Sequence, residues 1–132
     1  MTYDPLNRKG EIMKKILNLT NHNLTNDQIT ELQNVWGVTE FIELESDLKA
    51  LWGQLTPYNY QEVCDVIIEL IREQQIDFVH LAGFFPAVTY VNSRVLNCIY
   101  AYSVRESVDK VLEDGIIVKN SVFKHKGFFK YL

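Results

Sequence analysis

The stretch KKILNLTNHNLTNDQ, from Lys14 to Gln28, indicates the fold most directly. It holds an apolar run typical of a buried strand, then four polar residues at 20–23, then an amphipathic pattern that begins at Ile29. Thr25 stands three residues before Gln28, which is the spacing of a capping box at the start of a helix. The sequence therefore predicts a strand, a polar loop and a helix in direct succession.

The polar loop is the first place to expect chemistry. Open α/β sheets bind ligands at the carboxyl ends of their strands, and a helix N-terminus there offers unpaired N–H groups to an anion. His22 lies at the centre of this loop, between Asn21 and Asn23 and two residues after Thr20. His22 is therefore a candidate for acid–base work, and the alternative is a histidine that only stabilises the loop.

Composition bounds the possible functions. A chain of 132 residues is normally one domain, and we expect a loosely ordered extension at 1–12 before a single domain at 13–132, although Met13 could equally be the real start of the domain. The formal charge of −4 disfavours duplex DNA binding. No apolar run is long enough for a membrane span. Cys64 and Cys98 lie inside apolar patterns without metal spacing, so we expect buried thiols and a cytoplasmic protein.

Strands and helices alternate along most of the chain. Residues 60–73 give the clearest helix, because Val63, Val66, Ile67, Leu70 and Ile71 repeat at helical spacing. The other elements follow from shorter patterns and from turn residues. Strands are predicted at 39–44, 77–81 and 98–102, and helices from Ser46 through Trp52 and from Pro86 to about Asn97.

The tail follows a different pattern. Asp114-Gly115 between apolar residues is a strong β-hairpin signal, and the alternative is a helix over 106–113 that ends at Gly115. The sequence as a whole predicts an α/β fold: a small Rossmann-like parallel sheet flanked by helices, with a C-terminal β-hairpin. Right-handed crossovers would then bring the His22 loop, the Gly83 turn and residues 103–105 to one rim.

Two more side chains on that rim and tail could bind a phosphate. Arg105 has the planar fork that suits a phosphate, and its alternative role is a surface ion pair with Glu106 or Asp109. His125 lies between two lysines, one of which is Lys124, and its alternative role is in a basic edge strand that resists aggregation. The carboxylates are expected mostly on solvent faces. We expect no metal site and no cofactor.

Four short motifs resemble a small CRISPR-associated family, the Csx proteins numbered twenty. Asn21–Gln28 resembles its His-x-Leu-Thr-x-x-Gln opening, and Trp52–Pro57 its Trp-then-Pro segment. Tyr100–Arg105 is similar to its Tyr-Ala-Thr-Thr-x-Arg strand end, and Ser121–His125 to its Val-Phe-Lys-His strand. The motifs occur in the family's order over nearly the whole chain from residue 13.

The resemblance implies a CARF-like domain that acts as a homodimer in type III CRISPR antiviral defence. It also implies a cyclic oligoadenylate as ligand, with cyclic tetra-adenylate as the expected ring. Family members of this kind are ring nucleases, which need no metal because a ribose 2′-OH attacks the adjacent phosphate. On this hypothesis His22 and Arg105 are catalytic. The expected ligand-binding residues are Asn21, Thr20, Ser103, Gly83, His125 and Lys124.

The chain departs from the family pattern in the turn after the third strand. Ala82-Gly83-Phe84 stands where the family has a Gln-Gly-acid turn, which favours the alternative of a non-catalytic sensor or sink for the cyclic oligonucleotide. A third possibility is an interaction protein outside CRISPR. The aromatic tail predicts a homodimer interface or a core cover. Its members are Phe123, Phe128, Phe129 and Tyr131.

Overall fold

The computed structural model describes residues 13–132, and the extension expected at 1–12 lies outside them. One sheet of five strands runs through the described chain, in the order β2-β1-β3-β4-β5. The first four strands run parallel to one another, and the fifth is antiparallel to the fourth. The strands are β1 (Lys14–Leu19), β2 (Val38–Glu43), β3 (Phe78–Leu81), β4 (Cys98–Val111) and β5 (Ile117–Lys130).

Helices connect the parallel strands, as parallel pairing requires. This mixed α/β architecture, with a mostly parallel sheet and a C-terminal antiparallel pair, confirms the fold class expected from the sequence. No helix within residues 13–132 is long and apolar enough to cross a membrane. The helices are α1 (Asn26–Asn34), α2 (Ser46–Trp52), α3 (Tyr60–Glu73) and α4 (Phe85–Asn92).

The capping box at the start of α1 is present in full. The backbone N–H of Gln28 donates to Thr25 Oγ1 at 3.2 Å, and the backbone N–H of Thr25 donates to Gln28 Oε1 at 3.0 Å. These two bonds satisfy donors that a helix start leaves free. They fix the point at which the chain turns from the His22 loop into α1.

The two faces of the sheet bury different residues. Side chains alternate along a strand, so Leu17 and Leu19 of β1 face the larger apolar cluster with α3 and α4, whereas Ile16 joins the smaller cluster with Leu32 of α1. In α3 the buried stripe includes Cys64, and Val66 is 56% exposed. The expectation that Val66 faces the core is wrong, because the stripe is rotated by part of a turn.

The tail forms the hairpin and not the alternative helix, with Asp114 and Gly115 in its turn. Two predicted ends are wrong. The fourth strand does not end at Tyr102 but continues to Val111, because pairing with β5 extends it beyond the parallel strands, past a register shift at Tyr102/Ser103. The helix α4 ends at Asn92, five residues earlier than expected, since the chain then turns to enter β4.

Candidate functional site

A cavity of about 620 Å³ lies at the carboxyl ends of β1 and β3, beside the first half of β4. It is bounded on one side by the loop after β1 and the start of α1, and on the other by β4 and β5. This is the position at which open α/β sheets bind ligands. The cavity is lined by Thr20, His22, Asn23, Thr25, Gln28, His80, Ala82, Tyr100, Ala101, Ser103 and Phe123.

Three side chains predicted from the sequence meet in this cavity. Thr20 and His22 come from the end of β1 and its loop, and Ser103 comes from β4, more than eighty residues later in the sequence. Of the three places expected on one rim, the His22 loop and Ser103 thus line one cavity in the described chain, whereas Gly83 and Arg105 do not line it. Ser103 lies within β4 and not in a loop beyond it, because that strand continues.

Buried hydrogen bonds hold the His22 loop. Asn18 Nδ2 donates to the carbonyl oxygen of His22 at 2.9 Å and to Glu43 Oε2 at 3.2 Å. Thr20 Oγ1 lies 2.9 Å from Asn18 Oδ1 and accepts from the backbone N–H of His22 at 3.1 Å. The imidazole of His22 makes no hydrogen bond with a described residue and is exposed. Asn18 and Thr20 therefore fix the loop and leave the His22 ring available to a ligand.

Asn21 and Gly83 do not line the cavity. Asn21 Oδ1 lies beside Gly53, where an added Cβ would come within 3.2 Å of it, so this amide faces the end of α2. Gly83 has φ +144, and an added Cβ would lie 3.1 Å from Trp52 Nε1, which donates to the carbonyl oxygen of Ala82. Gly83 thus allows the turn to approach Trp52, and its role as a ligand contact stays a prediction.

Arg105 does not itself line the cavity but lies against Phe123, which does. Its guanidinium carbon is 4.9 Å from the centre of the Phe123 ring, and Phe123, which is 71% exposed, lines the cavity. The expected alternative, an ion pair with a neighbouring carboxylate, is not present among the described residues, because Glu106 and Asp109 pair with lysines of β5. The hydrogen-bonding fork of Arg105 therefore remains available to a ligand.

His125 and Lys124 lie outside the lining. His125 Nε2 is 2.7 Å from Glu31 Oε1, and the two side chains are only 9% and 20% exposed. Lys124 pairs with Val104 and follows Phe123 directly in β5. Because side chains alternate along a strand, the side chain of Lys124 lies on the opposite face of the β4–β5 pair from that of Phe123. Ligand contacts from these two residues stay predictions.

Glu31 does not lie on a solvent face as its place in the sequence suggested. It accepts hydrogen bonds from Trp36 Nε1 at 3.1 Å and from the backbone N–H of Phe128 at 3.0 Å, in addition to contacting His125. Burial alone would raise its pKa, but the bonds from Phe128, Trp36 and His125 outweigh burial and lower the pKa below its ordinary value. Glu31 thus fastens β5 to α1 beside the cavity.

His80 is the lining residue that the sequence reasoning missed. It lies in β3, is 7% exposed, and packs edge-on against Phe128 with ring centres 5.1 Å apart. Its Nδ1 is buried without a hydrogen-bond partner. Burial, followed by the neighbouring His125 and His22, lowers the pKa of His80 to about 4. The signal in the sequence is a titratable residue inside the apolar strand FVHL, one position before that strand ends.

Comparisons with known proteins give the family. The family model for the uncharacterized protein MJ1673 family matches residues 14–129. The uncharacterized protein MJ1673 of Methanocaldococcus jannaschii is 34% identical over 128 residues, which cover 90% of this chain and 98% of the relative. The chain belongs to the MJ1673 family. No solved structure matches it.

The matched span of this MJ1673-family protein includes every residue that lines the cavity. Its three histidines all lie at or beside this cavity: one exposed in the loop, one buried in the floor, and one paired with Glu31. Within residues 13–132, no group of three or more His, Cys, Asp or Glu side chains is arranged to hold a metal ion. The site therefore offers imidazole, hydroxyl and guanidinium groups around a largely apolar hollow.

Proposed function

We propose that this protein binds a cyclic oligoadenylate in the cavity and opens the ring, acting as a ring nuclease that ends type III CRISPR signalling. The observation that carries the proposal is the convergence of His22, Ser103 and the Arg105–Phe123 pair around one cavity at the carboxyl ends of β1 and β3. This convergence supplies the groups that a phosphodiester and its flanking base require.

The rim suits the recognition of a nucleotide. Aromatic rings and guanidinium planes both stack on bases, and Arg105 over Phe123 presents the two together. The arginine fork can hold a phosphate by two parallel hydrogen bonds. Ser103 adds a hydroxyl beside them that can donate to a phosphate or ribose oxygen.

The chemistry follows from these groups without a metal ion. The ribose 2′-OH gives its proton to water and attacks the adjacent phosphorus, the bond to the 5′-oxygen breaks, and the products are a 2′,3′-cyclic phosphate and a free 5′-OH. Arg105 stabilises the charge on the phosphate oxygens, and His22 donates a proton to the leaving 5′-oxygen. The buried free thiols of Cys64 and Cys98 support a reducing, cytoplasmic setting for this reaction.

A homodimer is part of the proposal. Cavities of roughly 300–1,000 Å³ suit drug-sized ligands. A cyclic tetranucleotide is larger than such a ligand. Two copies related by a two-fold axis would supply two cavities to one symmetric ring. The exposed aromatic rings of the tail, Phe123 and Phe129, offer apolar surface for the second copy, whereas Phe128 is buried within this one.

The deciding experiment incubates the purified protein with cyclic tri-, tetra- and hexa-adenylate in excess EDTA and identifies the products by chromatography. We expect one ring to open into a product that ends in a 2′,3′-cyclic phosphate. Arg105→Ala should lower both affinity and rate. Lys110→Ala is the matched control, because Lys110 is an exposed cation on the same strand but lies away from the cavity.

His22→Ala should lower the single-turnover rate by about a hundred- to ten-thousand-fold with less effect on affinity, which is the contribution of one general acid. An unchanged rate in this variant would remove His22 from the mechanism. Binding without turnover by the wild type would favour the non-catalytic sensor or sink. The absence of a carboxylate from the Ala82-Gly83-Phe84 turn supports the same alternative. No binding to any of the rings would refute both functions.

A further inference from the structure

The buried polar side chains on the α1 side of the sheet differ in whether they have partners. Asn18 and Thr20 are 3% exposed, and their side chains hydrogen-bond to each other and to the His22 loop. His80 is 7% exposed, but neither of its ring nitrogens makes a hydrogen bond with a described residue. A buried polar group without a partner is destabilising. The Nδ1 atoms of His80 and His125 are both buried without a partner, but His125 Nε2 contacts Glu31, so His80 is the one of these two histidines with no described partner at either nitrogen.

The position of His80 suggests an explanation. Its ring packs edge-on against Phe128, which separates it from His125, and it lines the floor of the cavity. The exposed Arg105 and Ser103 lie at the rim. A ligand that enters the cavity meets charge at the rim and a single imidazole at its floor.

We propose that His80 is a ligand-binding residue whose imidazole makes one hydrogen bond to the edge of an adenine base inserted into the cavity, a bond that no described residue makes with its Nε2 in the free protein. This inference rests on the proposed function, since it takes the occupant to be an adenine nucleotide. The adenine edge offers an acceptor at N7 and a donor at the 6-amino group. A neutral imidazole can make one of these bonds at a time, by donating to N7 or by accepting from the amino group, because its two nitrogens point apart.

A base suits this position better than a phosphate does. Burial keeps the imidazole of His80 uncharged at neutral pH, since its pKa is lowered to about 4. A phosphate is bound best by charged donors, and Arg105 provides one at the rim. Phosphate at the rim and base at the floor is therefore the orientation that matches the charges.

The test replaces His80 by Phe, which keeps a flat ring against Phe128 but removes both nitrogens. Binding is measured by calorimetry with the ring that the wild type binds best, methylated at its 2′-hydroxyls so that it cannot be cut. We expect affinity to fall about three- to tenfold, as for the loss of one hydrogen bond. The melting temperature of the free protein should not fall, because no internal hydrogen bond is lost.

His125→Phe is the matched control. His125 is also a buried histidine beside Phe128, but its Nε2 contacts Glu31 at 2.7 Å. We expect this variant to melt at a lower temperature than the wild type, since Glu31 loses a partner. His80→Leu gives a second apolar variant in case the larger Phe does not fit, and His80→Asn, which keeps a donor and an acceptor, should recover part of the affinity.

The outcomes separate the two proposals. Unchanged affinity in His80→Phe and His80→Leu, with the wild type binding, would overturn the role of His80 and leave the proposed function standing. A lower melting temperature in both apolar variants would make His80 a structural residue and also overturn the inference. Failure of the wild type to bind any ring would refute the proposed function, and the inference would fall with it.

Discussion

The two faces of the sheet bury side chains of different polarity. On the face toward α3 and α4, the buried side chains of β1 and β3 are all apolar, as in Leu19 and Leu81. On the face toward α1, the same two strands bury Asn18 and His80 near their carboxyl ends, and Thr20 is buried directly after β1. One strand thus contributes alternate residues to a core and to a polar site.

This contrast explains how a small domain keeps a site without losing stability. The apolar face supplies most of the buried hydrocarbon, whose burial contributes about 25 cal/mol per Å². The α1 face has a smaller apolar cluster and adds the fixed loop and the Glu31 contacts. We therefore expect substitutions on the apolar face to lower the free energy of unfolding most. Substitutions on the α1 face should change its pH dependence or remove individual hydrogen bonds.

The largest effect is expected on the apolar face. Ile67 of α3 is fully buried in the larger cluster, so Ile67→Ala should lower the free energy of unfolding by about 2–5 kcal/mol, through lost burial and a cavity. Urea denaturation at neutral pH measures this change. Val66→Ala is the matched control: Val66 is the preceding residue and 56% exposed, and its change should stay within about 0.5 kcal/mol. Equal effects would mean that α3 packs in another rotation.

An intermediate effect is expected from the charge of His80. The pKa of a histidine is about 6.5 in the unfolded chain and is lowered to about 4 in the folded protein, by burial and by His125 and His22. As the pH falls below 6.5, the unfolded chain binds a proton that folded His80 does not bind until about pH 4. Stability is therefore full above pH 6.5, and the free energy of unfolding should decrease by about 2 kcal/mol between pH 7.5 and 5.

His80→Phe isolates this contribution, since the variant keeps every other titratable group. Urea denaturation at pH 7.5 and at pH 5 should show a smaller decrease in the variant than in the wild type, by about the 2 kcal/mol assigned to His80. The lowered pKa of Glu31 acts below its ordinary value of 4.5 and thus outside this interval. The same pH dependence in both proteins would show that His80 is protonated in the folded state.

The smallest effect is expected at Thr20, whose hydroxyl only holds the His22 loop. Thr20→Val keeps the shape and should lower the free energy of unfolding by about 1–2 kcal/mol, as for the two internal hydrogen bonds of this hydroxyl. Ligand affinity, measured with the same methylated ring, should also decrease because the loop is no longer fixed. Thr30→Val, an exposed change on α1, should alter neither quantity. A normal affinity in Thr20→Val would mean that the loop needs no support.

Much of the fold was readable in local patterns. The capping box of Thr25 and Gln28, the Asp114-Gly115 turn and the helical repeat over residues 60–73 each depend on residues only a few positions apart. Such patterns give the type of each element and, with the rule for crossovers, the rim on which His22 and Ser103 meet. The sequence by itself thus determined the α/β class and the neighbourhood of the site.

Tertiary structure alone decided the remainder. Glu31 and His125 are 94 residues apart in the sequence, and they meet because β5 folds back along β4 beside α1. A pattern of neighbouring residues cannot predict a contact at that separation. The continuation of β4 to Val111 depends on its pairing with β5 and not on its own polar residues. The place of His80 in the cavity lining has the same cause. Strand alternation allows its side chain to lie on either face of the sheet, and only the packed helices determine which face opens into the cavity.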